Sequence, residues 1–169
     1  MPYDATPVAG TLSLDQGAIA AMLPHRPPLL LVDAAPRVVP GREIEAYRQL
    51  REGDPLFEGH FPGYPLLPGV FSIEAIAQAA CLLALVSLET DARHRLPCLM
   101  KVSDAVFHRP AGPGDRLDIH VEFVRAWGEA WKLTGRIDVR GESVAQATLI
   151  ATVLTSGQLD ALRITSQAA

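Results

Sequence analysis

The stretch from Gly69 to Leu88 constrains this chain most. After Gly69 it contains no proline or glycine, and apolar side chains run around its circumference, interrupted chiefly by Glu74, Gln78 and Ser87. A helix that is apolar all round must be buried on nearly every side. At about 1.5 Å per residue it would reach ~30 Å, enough to cross a small domain. Its longest apolar run, Ala75 to Leu88, stops short of the roughly 20 residues a bilayer crossing needs, so a core helix is expected and no membrane span.

Something has to wrap that helix, and the sequence after it alternates with period two. Leu117, Ile119, Val121 and Phe123 share one face, as do Trp131, Leu133, Ile137 and Val139, and then Ala147, Leu149, Ala151 and Val153. Gly128 and Gly141 fall between these runs and mark hairpin turns, which predicts an antiparallel meander. Upstream, Asp15 can cap a short helix through Ile19 and Met22 that Pro24 ends, and Leu29 to Val32 and Ile44 to Leu50 read as short strands. The segments Gly53 to Pro68 and Asp91 to Pro97 read as loops.

The expected class is therefore α+β, one long helix laid across a curved antiparallel sheet. With 169 residues, 49% of them hydrophobic, the chain can bury one real core. A single domain over 15–155 is expected, between a flexible arm, 1–14, and a tail, 156–169. One sheet of this size leaves part of the helix uncovered, so a two-fold partner, hence a homodimer, is expected.

Charge and cysteine usage remove several classes of function. The net charge is -4 and no run of Lys or Arg occurs, so neither a nucleic acid nor an anionic membrane surface is an expected partner. Cys81 and Cys98 lie in no CxxC or Cys/His cluster, which suggests neither a zinc site nor a disulfide framework. Residues 1–14 have neither a basic start nor an apolar core of the signal-peptide kind, so a cytoplasmic location is expected.

Two ionisable groups stand out against this apolar background. His60 lies in Gly59-His60-Phe61-Pro62, within the stiff loop that leads into the long helix, and Glu74 follows in the helix's second turn. A carboxylate on an apolar helix is costly to bury and is rarely kept for packing. An imidazole that takes one proton and a carboxyl that delivers another are what elimination of water beside a carbonyl requires. Gly69 starts the helix, so its N–H has no intrahelical partner, and the lack of a Cβ lets a carbonyl oxygen approach it. Gln78, one turn after Glu74 on the same face, can orient the site.

The ordered motifs Leu23-Pro24-His25-Arg26, Leu29 to Asp33, Gly59-His60-Phe61-Pro62, Pro68-Gly69-Val70 and Glu74-Ala75 with Ala77-Gln78, then Arg109-Pro110 and Pro113-Gly114-Asp115, closely resemble the 3-hydroxyacyl-acyl-carrier-protein dehydratases. The resemblance covers roughly Leu14 to Val153. It implies a hotdog fold, a dimer or trimer of dimers, and no metal or organic cofactor. It also implies a catalytic His60 and Glu74 supplied by different subunits, with the Gly69 amide on the thioester carbonyl. Phe61, Val70 and Gln78 are the matching substrate-binding positions, and an acyl carrier protein with its phosphopantetheine-linked chain is the implied partner. Three positions depart from the family pattern: Pro27 for an aromatic, Leu67 for a methionine and His108 for an arginine.

Other candidates have plainer readings. His25 between prolines reads as structural, His94 and His120 as solvated, and Ser72 lacks the GxSxG elbow of a hydrolase. Arg109 and Arg116, with Arg125, would form a basic rim that steers an acidic carrier. Two other functions stay open at this stage: a hotdog acyl thioesterase, and a non-catalytic subunit that binds acyl carriers.

Overall fold

The computed structural model describes residues 10–90, 95–128, 130–155 and 157–158. In chain order the elements are β1 (Leu12–Leu14), α1 (Gln16–Met22), β2 (Ala34–Val39), β3 (Glu43–Gln49), a 3-10 turn (Pro55–Phe57), α2 (Gly69–Ser87), β4 (Arg95–Phe107), β5 (Arg116–Trp127), β6 (Ala130–Val139) and β7 (Glu142–Thr155). The strands form one sheet in the order β1-β2-β3-β5-β6-β7-β4, every neighbouring pair antiparallel.

The meander read from the sequence is β5-β6-β7. Its β6–β7 turn is Arg140-Gly141, with φ of 54° and 79°, the paired left-handed backbone of a type I′ hairpin whose twist suits the strands it joins. The inward residues of these strands, Leu117, Ile119 and Val121, Leu133, Ile137 and Val139, and Ala145, Ala147 and Leu149, are buried against α2. At Gly135 the helix comes so close that a Cβ would stand 2.1 Å from Ile76 Cγ2, so only glycine fits.

Several expectations change. Leu12–Leu14 does not belong to a loose arm: it pairs with β2 as an edge strand. Residues 1–9 and nearly all of the 156–169 tail lie outside the described residues, as does His94. Leu29–Val32 is not a strand, because its backbone groups pair with a side chain instead: Leu31 N donates to Gln78 Oε1 (2.8 Å) and Leu29 O accepts from Gln78 Nε2 (2.7 Å). Arg95 and Pro97, read as loop, open the 13-residue β4, which leaves α2 and lies against β7 at the far edge of the sheet.

The helix is the expected spine but is not covered all round. By length and hydropathy α2 would pass for a membrane crossing, yet most of it is buried inside the sheet. Phe71, Ile73, Glu74, Ala77 and Cys81 are only half-buried, and Val70 is exposed. They sit at helical spacing on one face. On the outermost strand, Leu99, Met100, Val102, Val106 and Phe107 are also exposed.

Candidate active site

His60 owes its orientation to a tight loop. Its backbone N–H donates to Phe57 O, its carbonyl accepts from Leu66 N, and Phe61 and Tyr64 exchange backbone hydrogen bonds across the tip. Its Nδ1 stands 3.0 Å from Leu66 O. A carbonyl can only accept, so the ring proton belongs on Nδ1 and Nε2 keeps a lone pair, which is the form of a general base. The Phe61 ring stacks on the imidazole at 4.1 Å.

The root of this loop is fixed by a buried charge cluster that the sequence reading missed. Arg48 on β3 donates to Asp33 Oδ1 (2.7 Å) and to Asp54 Oδ2 (2.5 Å), and all three side chains are largely buried. Asp54 caps the 3-10 turn that precedes His60, while Asp33 closes the segment that Gln78 clamps. Nothing in local periodicity joins these three positions: the β2–β3 pairing sets Asp33 beside Arg48, and the turn after β3 brings Asp54 back to it.

His60 opens onto a cavity of about 510 Å³ lined also by Leu67, Gly69, Val70, Ser72, Phe107 and His108. Arg109 contributes to its wall as well. The N-cap of α2 is Pro68, which offers no side-chain hydrogen bond, and Gly69 and Val70, at the positive end of the helix dipole, line this space. Phe107 packs against Gly69, where an added Cβ would meet the ring at 3.0 Å. Two of the three departures from the family pattern, Leu67 and His108, line this same cavity.

Glu74 is not part of that lining. It lies on the half-covered face of α2 with 38% of its side chain exposed, so a single copy does not bury it as its apolar setting suggested. Its Oε1 accepts from Gln78 Nε2 (2.8 Å) and stands 3.4 Å from His25 Nε2. Cys81, a further two turns along, is half-buried as a residue but turns its sulfur inward, toward Pro97 O, and desolvation of that sulfur, then the Glu74 carboxylate, pushes its thiol up to about 12. Thus Gln78 orients the carboxyl as expected, whereas His25, read as structural, faces the acid.

The expected docking rim is engaged within the chain. Arg109 donates to Val139 O (2.6 Å) and pairs with Glu142, and Arg116 pairs with Asp118 and lies over the Tyr47 ring. Arg125 stacks over Trp127. His120 is on a different hollow, beside Glu122 and Arg136. Among the described residues no three of His, Cys, Asp and Glu converge as metal ligands.

A family model for the FabA-like domain matches residues 23–148. The chain belongs to the FabA-like family. Within that family, the 3-hydroxyacyl-[acyl-carrier-protein] dehydratase FabZ of Myxococcus xanthus is 44% identical over 141 residues, 83% of this chain and 92% of the relative. The protein of the same name from Nitratiruptor is 39% identical over 145 residues, 83% of this chain and 98% of the relative. The FabA-like chain also superposes on the dehydratase heterocomplex ApeI:P from Xenorhabdus doucetiae with a TM-score of 0.72 at 19% identity, over 85% of this chain and 95% of that one. A hot-dog-like protein from Thermanaerovibrio acidaminovorans matches with a TM-score of 0.61 at 15% identity, over 75% and 90%. At such identities the likeness is one of architecture, and that architecture is the hotdog fold.

Proposed function

We propose that this chain removes water from 3-hydroxyacyl thioesters carried on acyl carrier protein, giving the trans-2-enoyl thioester. One observation carries the division of labour: His60, with a free Nε2, shares its cavity with the amide end of α2, whereas Glu74 stands outside that cavity on an exposed face. In this reading Nε2 of His60 takes the C2 proton while the Gly69 N–H, with the helix dipole behind it, holds the thioester oxygen as negative charge develops. Glu74 protonates the 3-hydroxyl as the C3–O bond breaks.

A second copy of the chain would bring its Glu74 to this copy's His60. The half-covered face of α2 and the exposed apolar edge of β4 support such a homodimer, since an open apolar edge strand invites pairing. Val70, exposed on the cavity wall, and Phe61, exposed and stacked on His60 though not itself in the lining, would receive the acyl-pantetheine arm. The carrier would dock near Arg109 at the same opening, with Arg116 farther along the sheet, and the reaction would run in the cytoplasm. If Arg109 and Arg116 steer the carrier, its association weakens steeply with added salt; a salt-insensitive affinity removes them from the interface.

The test is enoyl-thioester absorbance from short and medium 3-hydroxyacyl-pantetheine substrates, for wild type, His60→Ala and Glu74→Gln. Wild type should form product and each variant should lose about a hundredfold or more. Free thiol without enoyl product would instead mean thioester hydrolysis. Tight binding of acyl carrier without turnover would mean a non-catalytic subunit.

A further inference from the structure

His25 sits in the least adjustable part of the chain near Glu74. Arg26 Nη1 donates to His25 O (2.6 Å) and Leu23 O (2.9 Å), prolines flank the pair at 24 and 27, and Leu29 N and Leu30 N both donate to Arg26 O. Gln78 then fastens Leu29 and Leu31 to α2 by its own amide. The imidazole is thereby set with Nε2 3.4 Å from Glu74 Oε1, while its Nδ1 is buried and has no hydrogen-bond partner among the described residues.

That arrangement selects a tautomer. With the ring proton on Nδ1, a buried N–H would have nothing to accept it, and the Nε2 lone pair would face a carboxylate oxygen that already accepts from Gln78. An imidazolium would bury the same orphan N–H. A neutral ring protonated on Nε2 avoids both costs and puts its N–H beside Oε1, at 3.4 Å, where a small turn of either side chain closes a hydrogen bond. Oε1 then accepts from Gln78 Nε2 (2.8 Å) with the His25 N–H next to it (3.4 Å), and among the described residues Oε2 has no partner.

We propose that His25 is a positioning residue for Glu74: together with Gln78 it occupies Oε1, and so confines the exchangeable proton of the carboxyl to Oε2. This rests on the reading of Glu74 as the acid of a dehydratase. Fixing which oxygen carries the proton removes a rotation of the carboxyl from the reaction coordinate, an effect on turnover and not on substrate affinity.

The experiment compares His25→Leu and His25→Gln with wild type in steady-state dehydration and thermal unfolding, and reads the tautomer of His25 by ¹⁵N NMR of the imidazole. His25→Leu should lower kcat by about tenfold or more with KM unchanged. His25→Gln, which keeps an N–H donor, should stay close to wild type. The wild-type ring should be protonated on Nε2. Full kcat in His25→Leu, an equal loss in His25→Gln, or a ring protonated on Nδ1 overturns the proposal. Wild type that dehydrates no 3-hydroxyacyl thioester overturns the dehydratase reading itself; because the tautomer is measured without turnover, the two failures are separable.

Discussion

Gly69 answers to two neighbours at once. It opens α2 on the cavity wall, and an added Cβ would stand 3.0 Å from the Phe107 ring. Phe107 is half exposed and can swing away, so Gly69→Ala should cost no more than about 1 kcal/mol of stability. Its methyl would still crowd the approach to the amide, and kcat/KM should drop by about tenfold or more. Equal kinetics for the two proteins would remove Gly69 from the site. Cys81 gives a second prediction at this scale. Its thiol is held at about 12 against an ordinary value of 9.0, so the folded state disfavours the thiolate. The resulting stability is fully present below pH about 9 and is lost as pH rises toward about 12. Denaturant melts across that window should show a steeper decline for wild type than for Cys81→Ala; parallel curves would mean that the thiol titrates normally.

Between elements, the close approach of α2 to β6 and the Arg48 cluster do different jobs. The first sets the core. Gly135→Ala places a methyl against Ile76 in a space with no slack, and overpacking of this kind costs typically 1–3 kcal/mol, readable as a lower denaturation midpoint. The second joins the loop bearing His60 to the segment that Gln78 holds beside Glu74. Arg48→Met would leave Asp54 buried without its cation and Asp33 with only the more distant Arg51 (3.5 Å), a loss of about 3 kcal/mol. A midpoint within error of wild type would show that the cluster contributes no net stability.

At the scale of the molecule, one copy keeps His60 on its cavity and Glu74 outside it. If His60 of one subunit works with Glu74 of another, mixing His60→Ala with Glu74→Gln subunits and allowing exchange should restore turnover that neither variant has alone. No recovery after proven exchange would place both groups in one chain. Charging the open edge, as in Met100→Asp with Val102→Lys on β4, should shift the protein to monomers by light scattering and abolish turnover together. A monomer that keeps full activity would contradict a shared site.

Features carried by short-range patterning were legible in the sequence by itself. The all-apolar run dictated α2, the alternation of Leu117 to Val153 dictated β5, β6 and β7, Asp15 capped α1, and the motif string around His60, Gly69 and Glu74 marked the candidate site. Contacts between distant segments were decided only by the tertiary structure. Leu29–Val32 has the composition of a strand, but the Gln78 amide, 47 residues from Leu31, takes the place of a neighbouring strand. β4 joins β7 across the whole sheet, Arg48 meets two aspartates on separate segments, and His25 reaches Glu74 because of that clamped segment. Periodicity encodes which face of an element is apolar; which polar groups meet once those faces are buried depends on the packing of the complete chain.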